Sequence, residues 1–148
     1  MSDDVLRIVP KDPSWQPDHE TAIRVAELVR DTVPLDQSGW VETRFADQSE
    51  LVDCGPDLER IGCPVCGEEI AWEWFSDEMD HRDPHLPLDR TAPCCGAAIT
   101  LNDLVFEPPM AFARFTVEIW NPRRIDEVDL GLIGGALGVP VRAVHAHY

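Results

Sequence analysis

Four of the five cysteines in this 148-residue chain fall into two tight clusters, and this spacing constrains the fold more than any other feature. The first cluster is CPVCG at residues 63–67, and the second is PCCG at residues 93–96. Two residues between thiolates let both sulfurs reach one tetrahedral ion from a single turn, and a following glycine permits the positive φ that such turns use. The pattern therefore predicts a metal site that ties two distant turns together.

We predict that this site holds one structural Zn²⁺, because all-sulfur tetrahedral sites in reducing compartments select zinc or iron. The predicted ligands are Cys63, Cys66, Cys94 and Cys95. Four protein ligands leave no position open for water, which indicates a folding role and predicts no catalytic residue.

The second cluster departs from a regular zinc knuckle, in which two residues separate the cysteines. Ala92 occupies the position three residues before Cys95. If Cys94 and Cys95 both bind, an irregular backbone must turn these adjacent side chains to the same side. If only one of the pair binds, three residues are candidates for the fourth ligand: Cys54, His81 and His85. A site with three cysteines would also make Glu73 or His85 a candidate acid–base group.

The charge of the chain limits the kinds of partner that it can bind. Asp and Glu number 28 against 12 Lys and Arg, which gives a formal net charge of -16. Nucleic-acid binding depends on cationic contacts with phosphates, so direct nucleic-acid binding is not expected. Two interpretations of the acidity remain, namely solubility and an acidic surface for a basic protein partner.

The cysteine count and the hydropathy pattern predict the compartment. An odd number of cysteines without an export signal favours a metal site over a disulfide framework. The acidic N-terminus differs from a secretion signal, and no apolar run reaches the roughly 18 residues that span a membrane. We therefore expect a cytoplasmic protein.

Hydrophobic periodicity outside the cysteine region predicts both helices and strands. A helix is expected from the N-cap Asp18 to Pro34, and a second helix over residues 126–137 with Gly138 at its end. Strict alternation predicts a strand over residues 111–120.

These elements predict an α+β fold, in which a mostly antiparallel sheet carries two helices. Further strands are expected at residues 7–9, 40–45, 51–54 and 141–144, with 40–45 and 51–54 paired across a polar turn. The length indicates a single domain over residues 1–148, with a zinc ribbon inserted at about residues 58–107.

Several motifs together resemble a family of small, largely uncharacterised actinobacterial proteins that carry zinc-ribbon-like cysteines. The matching stretches are residues 52–55, 61–67, 93–96, 100–104, 113–115, 119–122 and 144–148. The resemblance implies the cysteine site and supplies no mechanism. Some members of that family are labelled as sugar-transporter ATPases, a function that this chain contradicts because it has no phosphate-binding loop.

Three functions are consistent with these features. The leading hypothesis is a zinc-stabilised, non-enzymatic module that binds another protein through an acidic surface. The second is an immunity-type inhibitor whose carboxylates mimic a phosphate backbone and occupy a basic partner. The third is a metal-dependent enzyme. His145 and His147 near the C-terminus have the spacing of a metal-binding or partner-binding tail, although the exposed face of a terminal strand explains the same alternation.

Overall fold

The computed structural model describes residues 2–80 and 88–148. It has the predicted α+β fold, and it divides into two compact units. One unit combines Met1–Asp57 with Met110–Tyr148, and the other is Leu58–Pro109. Whether the two units act as a single domain with an inserted ribbon, as the sequence predicts, stays a prediction.

The described residues contain eight strands and three α-helices, one helix more than the sequence predicts. In chain order they are β1 (Asp4–Pro10), α1 (His19–Thr32), β2 (Leu35–Val52), β3 (Arg60–Gly62), α2 (Trp72–Asp80), β4 (Asp89–Thr91), β5 (Ala98–Thr100), β6 (Val105–Glu107), β7 (Ala111–Pro122), α3 (Leu130–Leu137) and β8 (Val141–His147). The additional helix is α2, which lies in the second unit.

A four-stranded antiparallel sheet with the order β2-β7-β1-β8 forms the first unit. Helices α1 and α3 contribute buried side chains to one core with β1, β2 and β7. This core contains Leu6, Ile8, Ala22, Val25, Ala26, Val29, Val33, Val41, Phe115, Val117, Ile119, Val128, Ile133 and Leu137. The alternation predicted for residues 111–120 therefore places the correct side chains of β7 in the core.

Helix α1 begins where the sequence predicts, because the Asp18 carboxylate accepts a 2.7 Å hydrogen bond from the backbone N–H of Thr21. It ends before Pro34, which cannot continue the backbone hydrogen bonds of a helix. The buried stripe includes Val25, whereas Ile23 is 60% exposed. The sequence of α1 has two overlapping apolar faces, and the helix packs on the sheet with the face that includes Val25 rather than Ile23.

Helix α3 is shorter than predicted, because its N-cap is Asp129 rather than a residue near Asp126. The Asp129 carboxylate accepts a hydrogen bond from the N–H of Leu132, and a short 3-10 turn occupies residues 125–127. Gly138 ends the helix with φ of 83°, as expected for a glycine C-cap.

Strand β2 corrects the prediction that residues 40–45 and 51–54 pair with each other. Residues 40–45 and 51–52 belong to one 18-residue strand and pair with β7, and residues 53–54 lie beyond the end of that strand. A register shift between Phe45 and Glu50 accommodates the polar residues that suggested a turn. A bulge of this kind absorbs extra residues while the strand continues.

The helix-free face of β7 holds a buried charge that alternation alone assigns to solvent. Glu118 is only 2% exposed. Its Oε2 lies 2.7 Å from Nε of Arg7, and its Oε1 forms an ion pair with Arg44. Arg7 also donates a 3.1 Å hydrogen bond to the Tyr148 hydroxyl. These ion pairs neutralise a carboxylate that would be costly to bury alone.

The second unit consists of short antiparallel pairs around the cysteine turns. Strand β3 pairs with β6, and β4 pairs with β5. Within α2, Phe75 is buried and contacts Phe106 edge to face, with ring centroids 5.4 Å apart. The sequence left the segment around Trp72 open between helix and strand, and the structure assigns it to a helix.

Candidate metal centre

The first cysteine turn is a compact hairpin that follows β3. The N–H of Cys63 donates to the carbonyl of Glu68 at 2.9 Å, and the N–H of Gly67 donates to the carbonyl of Cys63 at 3.1 Å. Gly67 has φ of 77°, and a Cβ added there would meet no atom within 4 Å. The glycine is therefore needed for the backbone conformation rather than for space.

The second cysteine turn joins β4 to β5 and repeats the same hydrogen bonds. The N–H of Ala92 donates to the carbonyl of Ala97 at 2.8 Å, and the N–H of Gly96 donates to the carbonyl of Ala92 at 2.9 Å. Gly96 has φ of 74°. Ala92 thus occupies the position that Cys63 holds in the first turn.

This correspondence corrects the expectation of an irregular backbone at Cys94 and Cys95. The second turn is a regular knuckle in which Cys95 takes the place of Cys66 and Cys94 takes the place of Val65. Ala92 has no sulfur, and Cys94, at the third position of the turn, supplies the second sulfur instead. Adjacent cysteines reach the same point because the turn itself directs them there.

The four sulfurs converge, and their Sγ atoms all lie within 4.8 Å of one another. Cys63 and Cys95 have sulfurs 3.9 Å apart, and Cys66 and Cys94 have sulfurs 3.3 Å apart. In a tetrahedron with metal–sulfur bonds of about 2.3 Å, neighbouring sulfurs are about 3.8 Å apart. All five cysteines of the chain are free thiols. The cluster can therefore hold a metal ion.

Hydrogen bonds inside the cluster favour a thiolate at one position. Backbone N–H groups of Cys66 and Val65 lower the pKa of Cys63 to about 6. In contrast, the neighbouring Cys66 sulfur and burial raise the pKa of Cys94 to about 12. Negative charge on one sulfur opposes ionisation of the next, and a bound cation would offset this repulsion.

One of the four cysteines is buried, and the other three are at least partly accessible to solvent. Cys63 is 2% exposed, whereas Cys66 and Cys95 are exposed and Cys94 is half-buried. An ion bound here would be anchored from the interior of the unit and reachable by chelators from solvent.

The three alternative candidates for the fourth ligand, Cys54, His81 and His85, are not found at the sulfur cluster among the described residues. Cys54 belongs to the first unit, where it is a buried thiol whose pKa is raised by burial, and it is not part of the sulfur cluster. His81 and His85 lie outside the described residues. Among the residues that the structure describes, the four predicted cysteines are the ones brought together.

Comparisons with protein families, curated proteins and solved structures find no match. Functional inference for this chain therefore starts from its own geometry. No helix in residues 2–80 and 88–148 combines the length and apolar character needed to cross a membrane.

Two other groupings became apparent only in three dimensions. One is the buried Glu118 with its arginines, which the alternation of β7 assigned to the outward face. The other brings Asp4 to His145 and His147 across neighbouring strands. The spacing of the two histidines was visible in the sequence, whereas the aspartate 141 residues away in the chain was not.

Proposed function

We propose that residues 58–109 form a zinc-stabilised module that binds a basic protein partner. The observation that carries the proposal is the convergence of four sulfurs from two turns with the same backbone hydrogen bonds. Sulfur-only tetrahedral sites take zinc or iron, and a ring of four thiolates excludes the open position that catalytic zinc uses. The ion would stabilise the fold without taking part in catalysis.

The surface chemistry of this unit supports a basic partner. Residues 58–109 contain eleven Asp and Glu residues and three arginines, and a zinc ion with four thiolates would add two further negative charges. Exposed carboxylates follow the first turn at Glu68, Glu69 and Glu73. Val65 and Trp72, which are 62% and 54% exposed, add apolar area nearby in the chain. Exposed aromatic and apolar groups among charges are typical of protein-binding surfaces.

The metal is tested by its stoichiometry and by its effect on folding. Purified protein should contain about one zinc per chain by mass spectrometry, without the visible absorption of an iron–thiolate centre. Cys63→Ser should lose the zinc and unfold the unit, because structural zinc supplies folding free energy on the order of 10 kcal/mol. Cys54→Ser is the matched control, since it replaces a buried thiol outside the cluster, and it should retain the zinc. A stably folded, metal-free wild-type protein would refute this part of the proposal.

The partner is tested by affinity purification of tagged protein, followed by mass spectrometry. We expect a basic protein whose association rate falls steeply as salt rises, because screening removes long-range attraction. Replacing Glu68, Glu69 and Glu73 by glutamine should weaken capture while zinc content stays unchanged. The same three-fold replacement at Glu20, Glu27 and Asp31 on α1 provides a control of equal charge. Equal loss in both variants would show that net charge alone is responsible.

A further inference from the structure

An open cleft lies beside the bulge of β2, on the face of the sheet that holds Glu118. Its volume is about 370 Å³, within the range of about 300–1,000 Å³ that is common for small-molecule sites. All of its lining residues belong to the first unit. Arg114 and Thr116 line the cleft and share the face of Glu118, because side chains alternate along a strand.

The bulge explains why Arg114 lies at the cleft. Phe45 pairs with Phe115 and Glu50 pairs with Ala113, so residues 46–49 of β2 stand opposite Arg114 alone. Bulges bend a strand and redirect the side chains beside them, and they are common next to functional sites. Arg114 therefore has no direct cross-strand partner in the register of β2.

The guanidinium of Arg114 is half-buried and has only neutral acceptors in the described part of the chain. Its Nε donates to the carbonyl of Ala46 at 3.3 Å, and its Nη2 donates to Oε1 of Gln16 at 3.4 Å. Both bonds are long, because a guanidinium typically lies about 2.7–2.9 Å from a carboxylate oxygen. Arg114 thus retains the capacity to bind an anion, in a chain with 28 acidic residues.

Thr116 provides a second donor in the cleft. Its side chain is 8% exposed, and within residues 2–80 and 88–148 its hydroxyl forms no hydrogen bond. This oxygen is not among the polar atoms that are both enclosed and unsatisfied, so it keeps contact with solvent. A largely buried hydroxyl without a partner is costly, and a ligand in the cleft would accept its hydrogen bond.

Three carboxylates also line the cleft and limit the negative charge that it can accept. Glu118 is matched by its two arginines, and Glu50 pairs with Ala113, which places it on the other face of the sheet. Asp53 would repel a second negative charge at close range. The one guanidinium without a carboxylate, that of Arg114, therefore favours a monoanion over a phosphate dianion.

We propose that this cleft binds a small organic monocarboxylate, which accepts hydrogen bonds from the guanidinium of Arg114 and the hydroxyl of Thr116. Leu51 lines the cleft, and its pairing with Phe112 places it on the same face, where it offers apolar surface to the rest of the ligand. The site is independent of the proposed zinc module, because it contains no residue of the second unit.

The experiment titrates full-length protein with sodium acetate, isovalerate and benzoate and follows the amide resonances. We expect shifts centred on residues 46–51 and 113–117, with isovalerate and benzoate binding more tightly than acetate because they add apolar contact. Benzamide, the neutral analogue of benzoate, should bind at least about tenfold more weakly, because it lacks the charge that the guanidinium recognises. Inorganic phosphate should also bind more weakly than benzoate.

Substitutions separate the two donors. Arg114→Gln should weaken benzoate binding by at least about tenfold, whereas Arg123→Gln removes an exposed arginine of the same unit and should bind as wild type does. Thr116→Val should weaken binding by about fivefold, and Thr116→Ser, which keeps the hydroxyl, should not. The amide spectrum of each free variant reports whether it is folded.

The wild-type shifts require no substitution and test the proposal by themselves. It is overturned if none of the three carboxylates shifts resonances around the bulge, or if benzamide shifts them as benzoate does. Equal affinity of the Arg114→Gln and Arg123→Gln variants for benzoate would overturn it as well.

Discussion

At the scale of single residues, Glu118 shows how a charged side chain can be accommodated in the middle of a sheet. Its two oxygens face arginines from the two strands that flank β7, namely Arg7 of β1 and Arg44 of β2. Arg7 is largely buried, with a side-chain exposure of 16%, whereas Arg44 is 68% exposed. Loss of the carboxylate would therefore affect Arg7 more than Arg44, because Arg44 can be solvated by water.

Glu118→Ala should lower the free energy of unfolding by about 3 kcal/mol, because it leaves the buried Arg7 guanidinium without its carboxylate. Glu42→Ala is the matched control, since Glu42 is the cross-strand neighbour of Glu118 and contacts the exposed Arg44. It should cost less than about 1 kcal/mol. Urea unfolding followed by circular dichroism measures both. Equal effects of the two substitutions would contradict a special role for the buried pair.

At the scale of elements, the two cysteine turns are the same structure with different ligand positions. Their shared hydrogen bonds show that Ala92 is equivalent to Cys63 and that Cys94 is equivalent to Val65. A sulfur can therefore approach the common point either from the first position of the turn or from the third.

This equivalence predicts that the ligand at position 94 can be moved to position 92. Cys94→Val should abolish zinc binding, and the double variant Cys94→Val with Ala92→Cys should restore about one zinc per chain, because it recreates the C-x-x-C spacing of the first turn. Ala92 is 2% exposed, as is Cys63, so the new thiol occupies a comparably buried position. Zinc content and thermal unfolding report the rescue. A double variant that remains metal-free would show that the turns are not interchangeable.

The elements also show where sequence patterns succeed and where they fail. Helix α1 follows from the Asp18 cap, the apolar period and Pro34, all of which act within one stretch of chain. The continuous β2 could not be inferred in this way, because its polar middle looks like a turn until β7 lies beside it. Burial of Glu118 likewise depends on arginines that are distant in sequence.

The candidate site was predictable to a similar extent. The spacing of Cys63 and Cys66 pointed directly to a metal, because both ligands come from one turn. The convergence of Cys94 and Cys95 with these two ligands depends on tertiary structure. The regular backbone of the second turn could not be recognised in the sequence, because Ala92 stands where the first turn has a cysteine. The Asp4 contact to the two histidines required the β1–β8 pairing, which no local pattern reveals.

At the scale of the whole molecule, the division into two units separates two kinds of stabilisation. The first unit has a core of aliphatic and aromatic side chains contributed by two helices and three strands. In the second unit, the strands of the described residues are three residues long, and a small unit of this kind commonly relies on a metal to compensate for limited apolar burial. Removing a metal should therefore affect the second unit first.

The strand pairs that bracket the second unit have a consequence for engineering. Val52 pairs directly with Ala111 where the first unit is interrupted, and Arg60 pairs directly with Glu107 where the second unit begins and ends. At each of these two strand pairs, the chain that leads into the second unit lies beside the chain that leads out of it, as in the two strands of a hairpin. We therefore expect that residues 58–109 can be transplanted onto the tip of an unrelated hairpin together with their sulfur cluster.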